Sequence, residues 1–396
     1  MVSEGSKKIA IISKYFFPVT AGIEVNICET YAPMIERGYA ITIHTSKDTL
    51  TEKNTLSDAE VIRGINVTRY PYKRFGYWPK VDWQNTDYVC LHNFNVFPHF
   101  FVMLYTIFLK TTGRKKYKLF LTPHGGFNPE WSIFPSFIRT IKKFYHFTVG
   151  TLLINLSVDG MRAVSEWEKE EMLSKRVKPS IIKVIENGVE NEAYLDVDAK
   201  ASDEIKQKVE SYGRYIIQIG RVYVIKNYET VIRSLVDTPK DLKYLIVGGI
   251  EKNYHDNYKT KLDNLIKELG LEDRVIFTGV VKGVDKYYLI KHAQMMVHMA
   301  LWESFCNVVH EGLSQGLVCL VANNTALPYL IKNNVNGWCI ETKDHKAVAE
   351  KINYVLDNKD SKEIVDMQET NREYGLSNSW RQVSQRVEDF YLETKI

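Results

Sequence analysis

Short, wholly apolar runs that end in glycine, histidine or a turn set the tightest limit on how this chain folds. Residues 8–13 read KIAIIS, with β-branched Ile9, Ile11 and Ile12 and no polar alternation. Such a run suits a parallel strand covered on both faces, because a half-solvated strand would alternate. A turn carrying Gly22 follows, then an amphipathic stretch to about Gly38 and a second run at 40–45. This is a βαβ unit, which brings backbone to the carboxyl end of a sheet. Pro33 inside the helical pattern is expected to kink or shorten it. The same grammar recurs at 65–69, 88–92 and 119–123, and again at 214–220, 242–249, 275–279, 295–299 and 317–322. Helical stretches are read at 97–110, 287–293, 346–356, 361–373 and 380–393. The fold class is therefore α/β.

The 396 residues are enough for about two domains. Hydrophobic content of 45% and charged content of 25% are ordinary for a globular protein. A net charge of +4 gives no argument for nucleic acid. The cysteines (Cys28, Cys90, Cys306, Cys319, Cys339) form no Cys-x-x-Cys pair and sit among apolar residues, as reduced thiols of a cytoplasmic protein would. The apolar run near the N-terminus is too short for a signal peptide, and nothing reaches the ~18 apolar residues of a membrane span.

Residues 303–316 (ESFCNVVHEGLSQG) read as strand, tight turn and helix, with Glu303 on the turn and Glu311 eight positions on. A spacing of eight is close to two helical turns, so the carboxylates lie near one face. The first N–H groups of such a helix point out of the sheet and favour an anion such as phosphate. Asp196-Val197-Asp198 is not at the end of an apolar strand and reads as structural. It lies in an acidic, aperiodic stretch, 190–204, taken as a linker. In the aromatic stretch 127–147, Arg139, Lys142 and Lys143 fall at helical spacing. That helix either lies on a membrane surface or packs its aromatic face inward.

Taken in order, these motifs resemble the retaining glycosyltransferases of glycosyltransferase family 4. The signature Glu-x7-Glu matches Glu303 and Glu311, Gly-Arg-x4-Lys matches Gly220, Arg221 and Lys226, and a strand-end His-Gly matches His124-Gly125. Weaker matches are Val164-Ser165 with Lys169, Asn187-Gly188-Val189 with Glu186 in place of a proline, and Gly22 in a loop whose first glycine is Ala21 here. Residues 326–331 and 336–338 match the family's closing pattern.

The resemblance implies a GT-B fold, two Rossmann-like domains with parallel sheets facing an interdomain cleft and a C-terminal helix returning to the first domain. The boundaries expected are 1–195 on the acceptor side, 205–372 for the nucleotide sugar, and 373–396 for the returning helix. It implies transfer of a sugar from a nucleotide-diphosphate donor to an acceptor hydroxyl with retention, in glycan, polysaccharide or glycolipid synthesis, and without a metal. Arg221 and Lys226 would neutralise the departing diphosphate, aided by backbone N–H groups of Phe305, Cys306, Asn307 and Val308 and by Gly22 and Gly220. Glu303 would hold hydroxyls of the transferred sugar, Glu311 the ribose diol, and Val281 would lie beside the base. His124 would orient the sugar, since an imidazole hydrogen-bonds without the desolvation cost of a charge. Partners implied are a nucleotide sugar and a sugar or lipid-linked saccharide acceptor; peripheral membrane contact through 127–147 stays one of the two readings of that helix. The family's Glu-Gly-Phe-Gly is here Glu303-Ser304-Phe305-Cys306, which bears on donor identity. Rival readings are an epimerase or hydrolase of the same fold, consuming donor without acceptor, and a non-catalytic sugar-nucleotide binder.

Overall fold

The computed structural model describes residues 6–94, 97–250 and 258–395, so residues 1–5 of the stretch weighed as a leader lie outside it. The chain forms two compact units, Met1–Asn187 with Trp380–Ile396, and Gly188–Ser379. The first boundary falls before residues 190–204 and the second between Ser379 and Trp380.

Unit 1 holds β1 (Lys8–Ile12), α1 (Gly22–Glu36), β2 (Ala40–Ser46), β3 (Ala59–Ile62), β4 (Ile65–Tyr70), β5 (Tyr88–His92), α2 (His99–Thr111), β6 (Lys118–Thr122), α3 (Ser136–Phe147), α4 (Val149–Ser157), β7 (Gly160–Ala163), α5 (Glu166–Ser174) and β8 (Ile182–Val184). Among the described residues its sheet runs β3-β4-β2-β1-β5-β6-β7-β8. Every pairing is parallel except β3 with β4. Central β1 shows why it carries no polar alternation: Ala10 and Ile12 enter one core with Val89, Leu91, Met103 and Ile154. Ile9 and Ile11 enter the other with Cys90, Ile27, Tyr31, Val387 and Phe390. Helix α1 runs through Pro33 without a break, so the expected shortening does not occur.

Unit 2 holds α6 (Val197–Lys200), α7 (Asp203–Tyr212), β9 (Tyr215–Ile219), α8 (Tyr228–Ser234), β10 (Lys243–Val247), α9 (Tyr258–Leu269), β11 (Val275–Gly279), α10 (Gly283–Lys291), β12 (Met296–His298), α11 (Asn307–Ser314), β13 (Cys319–Ala322), α12 (Leu327–Leu330), β14 (Gly337–Ile340), α13 (His345–Asp357) and α14 (Lys362–Leu376). Its sheet, all parallel, runs β11-β10-β9-β12-β13-β14. Residues 190–204 are no free linker. Asp196 caps α6 by accepting from Ala199 N at 3.2 Å, and Ser202 caps α7. Asp198 pairs with Lys291 at 2.5 Å and His292 at 2.9 Å on α10. Both carboxylates of the Asp-x-Asp are thus spent on structure.

Helix α15 (Trp380–Glu393) belongs to unit 1, where Val383, Val387, Phe390 and Tyr391 are buried against α1 and the sheet. No described helix is long and apolar enough to cross a membrane. Helices α3 and α4 instead show apolar side chains to solvent, with Phe137 74%, Phe144 65% and Leu152 59% exposed. Lys142 lies 4.4 Å from the Phe134 ring and Lys143 5.3 Å from the Trp131 ring, edging that face.

Candidate functional site

In unit 2, two strand-end turns are stitched together. After β9 the chain passes Gly220 and Arg221 into a tight turn ending at Lys226, and Asn227 follows in the left-handed region (φ 50, ψ 53). Asparagine tolerates that backbone, and its Nδ2 donates to Met299 O at 2.8 Å and Thr342 O at 2.9 Å. Leu301 N donates to Ile225 O at 2.7 Å, joining this turn to the one after β12. Glu303 is pinned there by its N–H to Thr325 Oγ1 at 3.0 Å.

The result is a compact charge group. Lys226 Nζ lies 2.5 Å from Glu303 Oε1, and buried His298 Nε2 donates to the same oxygen at 2.9 Å. Burial alone would raise the Glu303 pKa, but Lys226 and His298 outweigh it and hold the carboxyl at about 2. Burial pulls Lys226 down while the Glu303 charge more than restores it, so its pKa is raised. Arg221 is exposed and close enough for its charge to act on Lys226. The ligand atoms of His298, Glu303 and Cys306 lie within 4.8 Å of one another, a spacing a metal could use. The Lys226 ammonium already sits on that carboxylate, however, and would repel a second cation at ion-pair distance.

Bare backbone surrounds this group. A Cβ on Gly248 would stand 2.0 Å from Gly220 O, and one on Gly220 3.2 Å from Lys226 Cε. Tyr228 donates its hydroxyl to Gly220 O at 2.8 Å. Helix α11 opens at Cys306 with φ 82 and ψ 73, where a side chain is strained and glycine is not. Phe305 and Cys306 are buried, Asn307 and Val308 half-buried at the helix start. Val281, half-buried, lies between β11 and α10, and Val280 Cγ2 beside it would be 3.4 Å from a Cβ on Gly249.

Glu311 is 8% exposed and its Oε2 lies 3.0 Å from Lys286 Nζ of α10. That ammonium also donates to Glu190 Oε2 at 2.8 Å, so two carboxylates share it. Burial raises the Glu311 pKa and Lys286 opposes the shift. Sequence reasoning missed Lys286 and Glu190, since neither belongs to a motif.

Within unit 1, His124 follows β6 at φ 52 and Gly125 at φ 78. Glu168 holds this loop: its Oε1 accepts from Gly125 N, and its Oε2 from Val164 N at 2.8 Å. Ser165 Oγ caps α5 by accepting from Glu168 N at 3.1 Å, whereas the Glu168 clamp on the loop has no local sequence signal. Burial pushes Glu168 up to about 7 and His124 down to about 3, so the imidazole is neutral. Gly22 is the exposed first residue of α1, and a Cβ there would meet nothing within 4 Å.

Residues 201–374 match the model for glycosyl transferases group 1, and residues 20–193 the model for glycosyltransferase family 4. An uncharacterized glycosyltransferase of Methanocaldococcus jannaschii is 28% identical over 202 residues, 49% of this chain and 50% of its own length. The GDP-mannose:cellobiosyl-diphosphopolyprenol alpha-mannosyltransferase of Xanthomonas campestris is 23% identical over 355 residues, 87% of this chain and 86% of that protein. Among solved structures, Anabaena HepE in complex with UDP and glucose superposes with a TM-score of 0.75 at 17% identity, covering 97% of this chain and 98% of that one. That likeness is one of fold, the GT-B arrangement of two parallel-sheet α/β domains. With its two halves matched in order by these two models, the chain belongs to glycosyltransferase family 4 and is a glycosyltransferase.

Proposed function

We propose that the protein transfers a hexosyl group from a nucleotide-diphosphate donor to an acceptor hydroxyl, with retention and without a metal. The observation that carries this reading is the Lys226–Glu303 pair beside exposed Arg221 and the start of α11. As the sugar C1–oxygen bond breaks, two negative phosphates leave, and a guanidinium, an ammonium and helix N–H groups supply the matching charge. The new C1–oxygen bond forms on the same face, and the acceptor proton passes to the departing phosphate oxygen. Glu303 is a poor proton donor with a pKa of about 2. Its role is to accept hydrogen bonds from sugar hydroxyls through Oε2, since Oε1 is occupied by Lys226 and His298. Glu311 would accept from the ribose diol, Val281 would lie by the base, and neutral His124 would orient the sugar.

The acceptor we propose is a lipid-linked saccharide, the class named for the Xanthomonas campestris relative. The exposed apolar face of α3 and α4, edged by Lys142 and Lys143, supports a site of action at the cytoplasmic membrane surface.

The test is a thermal-shift panel of nucleotide sugars, followed by turnover with the donor so found and assignment of the product anomer. An axial donor should give an axial product. Inversion, or donor consumption that needs no acceptor, would overturn the proposal.

A further inference from the structure

The His124 imidazole is one end of a buried chain of hydrogen bonds. Its Nε2 lies 2.9 Å from Nδ1 of His92, which closes β5, and the rings stack at 5.2 Å. His92 Nε2 lies 2.9 Å from the Tyr31 hydroxyl of α1, and that hydroxyl 2.7 Å from the Tyr391 hydroxyl of α15. Cys90 Sγ lies 3.3 Å from the Tyr391 hydroxyl oxygen. His92, Tyr31, Tyr391 and Cys90 are all buried. His99 Nε2 donates to His92 O at 3.0 Å and holds that strand end. Nδ1 of His124 has no partner among the described residues.

Each neutral imidazole donates from one nitrogen and accepts at the other, so the chain has two possible directions. In one, Cys90 donates to Tyr391, Tyr391 to Tyr31, Tyr31 to His92 Nε2, and His92 Nδ1–H to His124 Nε2. Phenol, the better acid, then meets imidazole, the better base, and the weak thiol is only a terminal donor. The reverse direction makes imidazole N–H groups donate to phenol oxygen and leaves Tyr391 only sulfur, a weak acceptor.

We propose that this chain holds His124 in its Nδ1–H form, with His92, Tyr31 and Tyr391 as positioning residues that act through it. On the sugar-orienting role proposed for His124, on which this rests, the ring then offers the substrate a donor and accepts nothing from it. Specificity follows: His124 recognises a hydroxyl through its oxygen lone pair, and cannot serve as a base at Nδ1.

The experiment is nitrogen NMR of protein labelled with ¹⁵N-histidine, with His124 assigned by its absence in His124→Asn. The wild-type ring should show a protonated Nδ1 and bare Nε2. Tyr31→Phe, which strips the donor from His92, should give both tautomers and lower kcat about tenfold, the scale of one neutral hydrogen bond, with donor KM unchanged. A protonated Nε2 in the wild type would overturn the proposal and needs no variant to fold. So would an unaltered tautomer in Tyr31→Phe. A tautomer that shifts while kcat stays constant would support the chain and remove His124 from contact with the sugar.

Discussion

Lys226 and Glu303 approach to 2.5 Å although 77 residues separate them, with side chains only 22% and 13% exposed. The pair is half-buried, so losing one member strands the other, a larger effect than breaking a surface ion pair.

Lys226→Ala should cut turnover by about a hundredfold or more, the scale of removing one donor aimed at transition-state charge. It should also cost about 2–3 kcal/mol of stability in denaturant titration. The folded Glu303 pKa is depressed, so its stabilisation is present above the ordinary carboxylate range and is lost as pH falls toward about 2. The acid unfolding midpoint of Lys226→Ala should therefore move to higher pH. Wild-type turnover would remove the ammonium from the mechanism.

Lys286→Met leaves Glu311 and Glu190 facing one another without a cation, and should push Glu311 further up. A protonated Glu311 accepts poorly, so donor affinity should fall about tenfold at pH 7 and recover as pH rises. Stability should run the other way: a carboxyl whose folded pKa is raised contributes most below its unfolded value and loses that contribution as pH climbs through the folded one. Lys286→Arg should keep most affinity. Calorimetric titration at several pH values checks the first, chemical denaturation the second.

Cys306 tests the αL strain directly. Cys306→Gly relieves about 1–2 kcal/mol of backbone cost and gives up some thiol burial, so its melting temperature should stay near that of the parent. Cys306→Ala keeps the strain and loses the sulfur, and should fall about 1 kcal/mol below. Alanine more stable than glycine would mean the position is unstrained. The same pair, tried on alternative donors, reports whether the thiol limits which sugar is accepted.

A triple variant Phe137→Ser, Phe144→Ser, Leu152→Ser alters only exposed side chains, so stability should change by less than about 1 kcal/mol. Its sedimentation with vesicles rich in anionic lipid should drop several-fold, and that of the wild type should weaken with salt. Equal pelleting of the two would take the membrane out of the picture.

How much was legible in advance follows from chain separation. Strands β1, β5 and β10 could be read because burial on both faces leaves a continuous apolar run, a purely local signal. Lys226 and Glu303 were legible only through their motifs. Lys286 could not be found that way: its partners Glu190 and Glu311 lie at distant points and share no pattern with it. Tyr31 and Tyr391 look like ordinary core residues and His92 like a strand-end histidine, and only the fold reveals that their polar atoms meet. Residues 190–204 were misread because acidic side chains usually mark solvent, whereas here Asp196 caps a helix and Asp198 binds Lys291 and His292.

Helix α15 also sets a schedule. The ribosome makes all of unit 2 before it reaches Trp380, yet Val383, Val387, Phe390 and Tyr391 fill one side of the unit 1 sheet. Until they emerge, Ile9, Ile11 and Tyr31 have only the partial cover that α1 and the strands give, and His92 lacks the far end of its hydrogen-bond chain. A nascent chain halted anywhere in unit 2 would carry an unfinished first unit, exposed to chaperones and proteases.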